Sequence, residues 1–232
     1  PWARSIKART SVGPKAGVMP PWYVEKEIGI QHFKNDPSLS DAEIAMIGKW
    51  ADSGAPRGNP ADAPPARVWN DDTAWQIGTP DLVIKTADIT VKAGNPDWWG
   101  EIPNVPTGLT EDRYVSALEV REVNDVPASG TGRDTVGGRY VFHHMIWQTK
   151  VLEPEHGQAN PADAFNLDAL FGREPGTTNW PVHEVGREPD FFDPKSARLL
   201  KAGSTFVTDS VHLHSNGRDT KSHLEIGFKF MP

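Results

Sequence analysis

Eight histidines occur in the chain, and four of them stand in two short motifs whose spacing suits metal binding. His212 and His214 are separated by one residue, so in a β-strand both imidazoles point to the same side, about 7 Å apart. A two-residue repeat of this kind can chelate one ion. The same alternation predicts that Val207, Val211 and Leu213 lie on the opposite side of the strand.

His143 and His144 are adjacent, and adjacent side chains of a regular strand point to opposite sides. Both can bind one ion only at a strand end or at a β-bulge, where an extra residue disturbs the alternation. Tyr140, Phe142 and Ile146 flank the pair, a pattern typical of a buried sheet face. We therefore expect the two histidines to occupy such an irregular position.

Imidazole binds copper, zinc, iron and nickel, and the other donors narrow this choice. The chain contains no cysteine, so thiolate ligands are excluded within it, and no carboxylate stands in an obvious ligand spacing. These observations favour a mononuclear site for copper or zinc, with copper as the first choice, whose candidate ligands are His143, His144, His212 and His214. The alternative is that these are ordinary core or surface histidines whose nitrogens bond to the backbone.

Met19 is the other candidate ligand, in the segment Met19-Pro20-Pro21-Trp22. A thioether next to prolines can be presented to haem iron. Without cysteine, however, no haem can be attached covalently within this chain. The alternative is an ordinary turn with Met19 in a small core.

The order of elements predicts a helical segment followed by a β-rich domain. Ser40 and Glu43 form a capping box before a helix with Ile44, Ile47 and Ala51 on one face. Residues 56–67 are proline-rich and predict a linker. From residue 68 onward, turn-rich connections between strands favour an antiparallel sandwich or jelly roll, with strands expected at 82–84, 89–91, 117–123, 139–151, 205–214 and 224–230.

Two connections in this β-rich part carry their own predictions. The Asn216-Gly217 pair between the last two predicted strands indicates a β-hairpin. Residues 152–198 contain many prolines without a regular period and predict a long, loop-rich insert.

Charge and hydropathy exclude some classes of partner. The net charge of −7 argues against binding to a nucleic-acid backbone, which requires an excess of cations. No apolar run approaches the roughly 18 residues that a membrane-spanning helix needs. The composition is that of an ordinary globular protein.

With these residues in view, the chain resembles bacterial proteins that fuse a c-type cytochrome to a copper type II, ascorbate-dependent monooxygenase-like region. PWARSIKARTSVGPKAGVMPPW and DPSLSDAEIAMIGKWADSGAP resemble the C-terminal part of the cytochrome. RYVFHHMIWQ and VHLHSNGRDT are the most specific parts of the resemblance to the first jelly-roll domain. It implies a cytochrome c-like segment without a haem motif at 1–55, a linker at 56–67 and a jelly-roll copper domain at 68–232.

The resemblance also implies roles for single residues. The first domain of related hydroxylases holds an electron-transferring copper with three histidines, which correspond here to His143, His144 and His212. His214 is then an extra ligand or a neighbour of the ligands, and Met19 a remnant of a haem ligand. The haem-attachment motif and the oxygen-activating second domain are expected outside this sequence, so we expect no hydroxylation by this chain alone.

Three functions follow from the sequence. The first is an electron-transferring copper domain of a periplasmic or otherwise exported hydroxylase-like protein. The second is a structural or interaction subunit of a larger periplasmic or membrane-associated redox complex, respiratory or photosynthetic, that keeps the fold without its redox centres. The third is a β-sandwich with a structural zinc ion.

Overall fold

The computed structural model describes residues 2–25, 28–29, 33, 35–66, 74–127, 136–152, 176–186 and 189–232. It separates into two compact units, Pro1–Val68 and Trp69–Pro232. The expected start of the β-rich domain at residue 68 and most of the insert at 152–198 lie outside the described residues.

The first unit contains helices α1 (Ala3–Thr10) and α2 (Asp41–Asp52) and a short 3-10 helix (Pro60–Asp62). The predicted capping box is confirmed, because the Glu43 backbone N–H donates to Ser40 Oγ and the Ser40 N–H donates to the Glu43 carboxylate. α1 was not predicted, since its sequence has few apolar residues. It contacts α2, and Lys7 forms a 2.6 Å ion pair with Asp52.

The second unit is mainly β, as predicted. One helical turn, α3 (Val136–Arg139), interrupts it. Its strands are β1 (Leu82–Lys85), β2 (Ile89–Val91), β3 (Trp98–Gly100), β4 (Val105–Pro106), β5 (Arg113–Asn124), β6 (Phe142–Lys150), β7 (Thr177–Asn179), β8 (His183–Glu184), β9 (Asp190–Phe191), β10 (Arg198–Leu200), β11 (Thr205–Leu213) and β12 (Thr220–Phe230).

These strands form two antiparallel, six-stranded sheets. The first has the order β1-β12-β5-β10, with β2 also paired to β12 and β9 to β5. The second has the order β3-β11-β6-β7, with β4 also paired to β11 and β8 to β6. Both sheets contribute to one hydrophobic core, so the arrangement is a β-sandwich. Among the described residues, no helix has the length and hydropathy needed to cross a bilayer.

The predicted hairpin at Asn216-Gly217 is wrong. β11 belongs to the second sheet and β12 to the first, so the segment between them crosses from one sheet to the other. The turn itself forms, with Gly217 at φ +82° and the Arg218 N–H donating to the Asn216 side chain. An Asn-Gly pair defines the local bend of the chain, but the pairing of the next strand depends on where its apolar face is buried.

The core between the sheets is rich in aromatic rings. Trp147, Phe206 and Phe228 are almost completely buried, and the Trp147 ring lies 5.6 Å from that of Phe206. The indole N–H of Trp147 donates to the Pro181 carbonyl. Buried indoles need such a partner, since an unpaired N–H in an apolar core is costly. This core defines the inner side of the second sheet, and the histidines lie on its outer side.

Candidate metal centre

A β-bulge places His143 and His144 on the same side of β6. His212 pairs with His144, whereas the next residue of β11, Leu213, pairs with Phe142. His143 is therefore the extra residue, and the regular alternation is lost at this point. Phe142 and Met145 are both fully buried, with the two half-buried histidines between them. The predicted irregular position of the pair is confirmed.

A second bulge corrects the predicted faces of β11. Thr208 pairs with Trp147 and Ser210 with Ile146, so Asp209 is an extra residue. As a result Phe206, rather than Val207, lies in the core with Val211 and Leu213. A strict two-residue period cannot detect such an insertion. His212 itself remains on the outer side, opposite His144.

Four side chains form a row across the outer face of the second sheet. In the pairing of β3, β11, β6 and β8, Trp99 lies beside His212, His212 beside His144, and His144 beside Glu184. Side chains at directly opposed positions of antiparallel strands lie close enough to interact. The bulge adds His143 to this row.

Three imidazoles converge through their Nδ1 atoms. Nδ1 of His212 lies 3.0 Å from Nδ1 of His143 and 3.3 Å from Nδ1 of His144. The candidate ligand atoms of the three residues all lie within 4.8 Å of one another. Two nitrogens that bind one ion at about 2.0–2.1 Å can be up to about 4 Å apart. The separations of 3.0 and 3.3 Å from Nδ1 of His212 therefore fit a common metal ion.

The opposite nitrogens of two of these rings face carboxylates. Nε2 of His144 lies 2.8 Å from the Glu184 carboxylate, and Nε2 of His212 lies 3.1 Å from the Asp97 carboxylate. An ionised carboxylate only accepts hydrogen bonds, so each Nε2 carries the proton. In the neutral ring, Nδ1 then presents a lone pair.

These lone pairs point at each other. Nδ1 of His144 and Nδ1 of His212 are both acceptors at 3.3 Å, and no proton lies between them in the neutral state. A cation at their meeting point would turn this repulsion into attraction. Histidines that bind metals commonly donate their other N–H to a carboxylate in this way. The residues present thus fit a metal ion.

His143 differs from the other two members of the cluster. Its pKa is lowered below the ordinary value by partial burial and by the neighbouring imidazoles of His144, His214 and His212, although Glu184 acts in the opposite direction. A lowered pKa keeps the ring neutral and able to bind a metal at neutral pH.

His214 is close to the cluster but does not join it. It follows the end of β11, and its ring centroid lies 5.0 Å from that of His143. Its Nε2 bonds to the Tyr140 carbonyl at 3.0 Å. Three of the four predicted histidines therefore form one group, and His214 is their neighbour.

Glu122 supports the backbone that leads into the bulge. Its carboxylate accepts the backbone N–H groups of Val141 and Phe142 at 2.9–3.1 Å, and also the Ser222 hydroxyl. Loss of hydration raises its pKa above the ordinary value, although these hydrogen bonds act in the opposite direction. The carboxylate thus fixes the residues immediately before His143.

Several residues of this site were not predicted from the sequence. Asp97, Trp99, Glu122 and Glu184 are distant from the histidine motifs in the chain, and only strand pairing brings them together. The Trp99 ring stacks on that of His212 at a centroid distance of 4.0 Å and an angle of 5°. An acidic residue beside two tryptophans, as in Asp97-Trp98-Trp99, was the available signal.

Met19 lies in the first unit, where it is half exposed. With Trp22, Ile44 and other residues it lines a cavity of about 190 Å³. Its backbone N–H donates to the Arg9 carbonyl. Met19 is therefore not enclosed in a core.

No protein-family model matches this chain, and no curated protein matches it significantly. The candidate site therefore has its support in the strand register and in the contacts between its side chains.

Proposed function

We propose that the second unit binds a single copper ion through His143, His144 and His212 and serves in one-electron transfer. The observation that carries this proposal is the convergence of three Nδ1 atoms, together with the carboxylates that orient the rings of His144 and His212. An all-imidazole site suits copper and zinc, and copper(II) binds such donors more tightly than zinc does. Copper, when bound, supplies a couple that accepts and donates one electron.

The protein residues prepare the site for this role. Glu184 and Asp97 hold two rings in the tautomer that leaves Nδ1 free, and Glu122 fixes the start of the bulge. His143 is held neutral by its surroundings. One copper ion of this kind can pass an electron on. Hydroxylation of a substrate would also need an oxygen-activating site, so we propose no catalysis by this unit alone.

The same proposal includes the type of sandwich in the second unit and the nature of residues 1–55. We propose that the sandwich is a jelly roll like the first domain of copper type II monooxygenases and that residues 1–55 are a cytochrome c-like segment of a periplasmic or exported protein. Support comes from the motifs around His143 and His212 and from the half-exposed Met19 in its proline-rich segment. Since the chain has no cysteine, these residues do not fit a covalently attached haem.

A second candidate is a structural or interaction subunit of a larger redox complex. It is favoured by large apolar side chains left exposed on the sandwich, among them Trp98, Trp99 and Phe191. Tryptophan is enriched at protein interfaces and often dominates their binding energy. In this case the histidine row would be an inherited scaffold without metal. A structural zinc ion at the same residues is the third candidate.

Copper titration of the metal-free chain, followed by electron paramagnetic resonance, tests these candidates. We expect one bound copper(II) with a type II spectrum, lost in His143→Ala and in His212→Ala. His223→Ala is the matched control, because His223 also faces a carboxylate, Asp88, but lies in the first sheet.

Each alternative has its own outcome. If the correctly folded chain binds no copper when copper is supplied in excess, the metal proposal is refuted and the interaction subunit is favoured. Zinc that is retained against excess copper(II) would favour a structural zinc ion. Loss of copper in His223→Ala as well would show that the effect of the histidine variants is not local.

A further inference from the structure

An exposed indole lies directly on one of the proposed ligands. The rings of Trp99 and His212 are parallel within 5°, with their centroids 4.0 Å apart, and the Trp99 ring is also nearly parallel to that of His144. Yet Trp99 keeps 59% of its surface exposed. One face of the indole thus covers an imidazole, and much of the ring remains open to a partner.

Its neighbour Trp98 does not share this position. Adjacent residues of a strand point to opposite sides, and the Trp98 ring lies over Gly100 rather than on a histidine. It is also exposed, at 42% of its surface. The two tryptophans are therefore similar in exposure and type but differ in contact with the site.

Two carboxylates contact the row of histidines, Glu184 at His144 and Asp97 at His212. A third, Asp209, lies further along β11, where it accepts a hydrogen bond from the Gln148 side chain. The strands of this sheet carry a single basic residue, Lys150, at the far end of β6. A surface with this balance of charge attracts a cationic partner and repels an anionic one.

We propose that Trp99 is the electron-exchange contact of the site and that a positively charged one-electron carrier docks on its exposed face. This inference rests on the proposed copper centre. The indole provides a short, ring-to-ring path from the surface to the buried His212. The surrounding carboxylates orient the carrier for this contact.

The reaction transfers one electron and nothing else. The reduced carrier loses one electron, copper(II) gains it to become copper(I), and no bond to a protein atom forms or breaks. Hexaammineruthenium(II) is a suitable probe, because it is a cation, exchanges single electrons and keeps its own ligands. It is oxidised to ruthenium(III) in the reaction.

Stopped-flow reduction of the copper(II)-loaded chain by this probe tests the proposal. We expect Trp99→Leu to lower the second-order rate constant, because the ring-to-ring path from the surface to His212 is lost. Trp99→Phe should restore much of the rate, and Trp98→Leu should leave it nearly unchanged. Added salt should slow the reaction with the intact chain. As a binding readout, copper(II) should quench less tryptophan fluorescence in Trp99→Leu than in Trp98→Leu.

Copper occupancy, the resonance spectrum and the reduction potential are measured for each variant. Equal rates in Trp99→Leu and Trp98→Leu at equal occupancy would overturn the proposal, as would a rate loss fully explained by a changed potential. If the rate constant of the intact chain does not fall as salt is added, the proposal that the partner is cationic is overturned. Failure of the intact chain to bind copper would instead overturn the proposed function itself.

Discussion

Replacing Glu184 by glutamine removes the negative charge that faces Nε2 of His144 but keeps an oxygen that can accept its N–H. The 2.8 Å contact would remain possible, so the ring need not turn. What is lost is the electrostatic support for a cation on the other side of the imidazole. Asp97→Asn makes the same change at His212, across a 3.1 Å contact.

The size of the effect can be estimated from these contacts. Loss of such a partner typically lowers metal affinity by about 10- to 100-fold, or about 1.4–2.8 kcal/mol. The side chain of Asp97 is 65% exposed and that of Glu184 47%, so solvent screens Asp97 more strongly. We therefore expect Asp97→Asn to weaken copper binding by about tenfold and Glu184→Gln by more.

Competition with a chelator of known affinity measures both constants. Asp88→Asn is the matched control, since Asp88 faces His223 at 3.0 Å in the first sheet, away from the cluster. It should leave the copper affinity unchanged. If Glu184→Gln binds copper as tightly as the intact chain, or if Asp88→Asn weakens binding equally, Glu184 and Asp97 do not contribute to the affinity of the site.

Three further predictions concern the scaffold. Because the pKa of Glu122 is raised in the folded state, its carboxyl binds a proton more tightly there than in the unfolded chain. The free energy of unfolding should therefore fall as pH rises above about 4.3 and through the folded pKa. Urea titrations across this pH range should show that the free energy of unfolding of Glu122→Gln lacks this decline. If it falls in parallel with that of the intact chain, the prediction is refuted. Phe206→Ala, at a fully buried position, should lower the free energy of unfolding by about 3–5 kcal/mol, as measured by urea titration. Ile146→Ala, at an exposed position, should lower it far less. Equal losses in the two variants would contradict the assigned core. Ser40→Ala should destabilise α2 by about 1 kcal/mol, visible as faster amide hydrogen exchange in that helix, and unchanged exchange would show that the cap contributes little.

The sequence was a good guide where a local pattern has one physical outcome. The capping box at Ser40 begins a helix because it satisfies two free N–H groups wherever it occurs. The paired histidines at His143 indicated an irregular strand position, since no regular strand could direct both to one ion. The turn-rich connections between the predicted strands likewise indicated an antiparallel sandwich, and the two sheets are antiparallel.

Prediction from the sequence failed where strand pairing or side-chain position depends on residues that are distant in the chain. The Asn216-Gly217 turn forms, yet the sheet that receives β12 is chosen by its packing in the core. The bulge at Asp209 moved Val207 out of the core, and nothing in the spacing of β11 indicates it. Glu184 is paired with His144 only through the register of β8 and β6, and Asp97, which directly precedes β3, reaches His212 on the neighbouring strand.

The bulge at His143 has a consequence for how such a site is gained or lost. Because His143 is an additional residue on β6, its deletion would remove the bulge, while Phe142 could keep its pairing with Leu213 and its place in the core. His144 and His212 would then face each other without a third imidazole. A single three-nucleotide deletion would thus remove one of the three proposed ligands while the strand pairing and the core stay in place, and the reverse insertion would add it back. The set of candidate ligands on this sheet can therefore change by one residue without a change in the architecture that surrounds it.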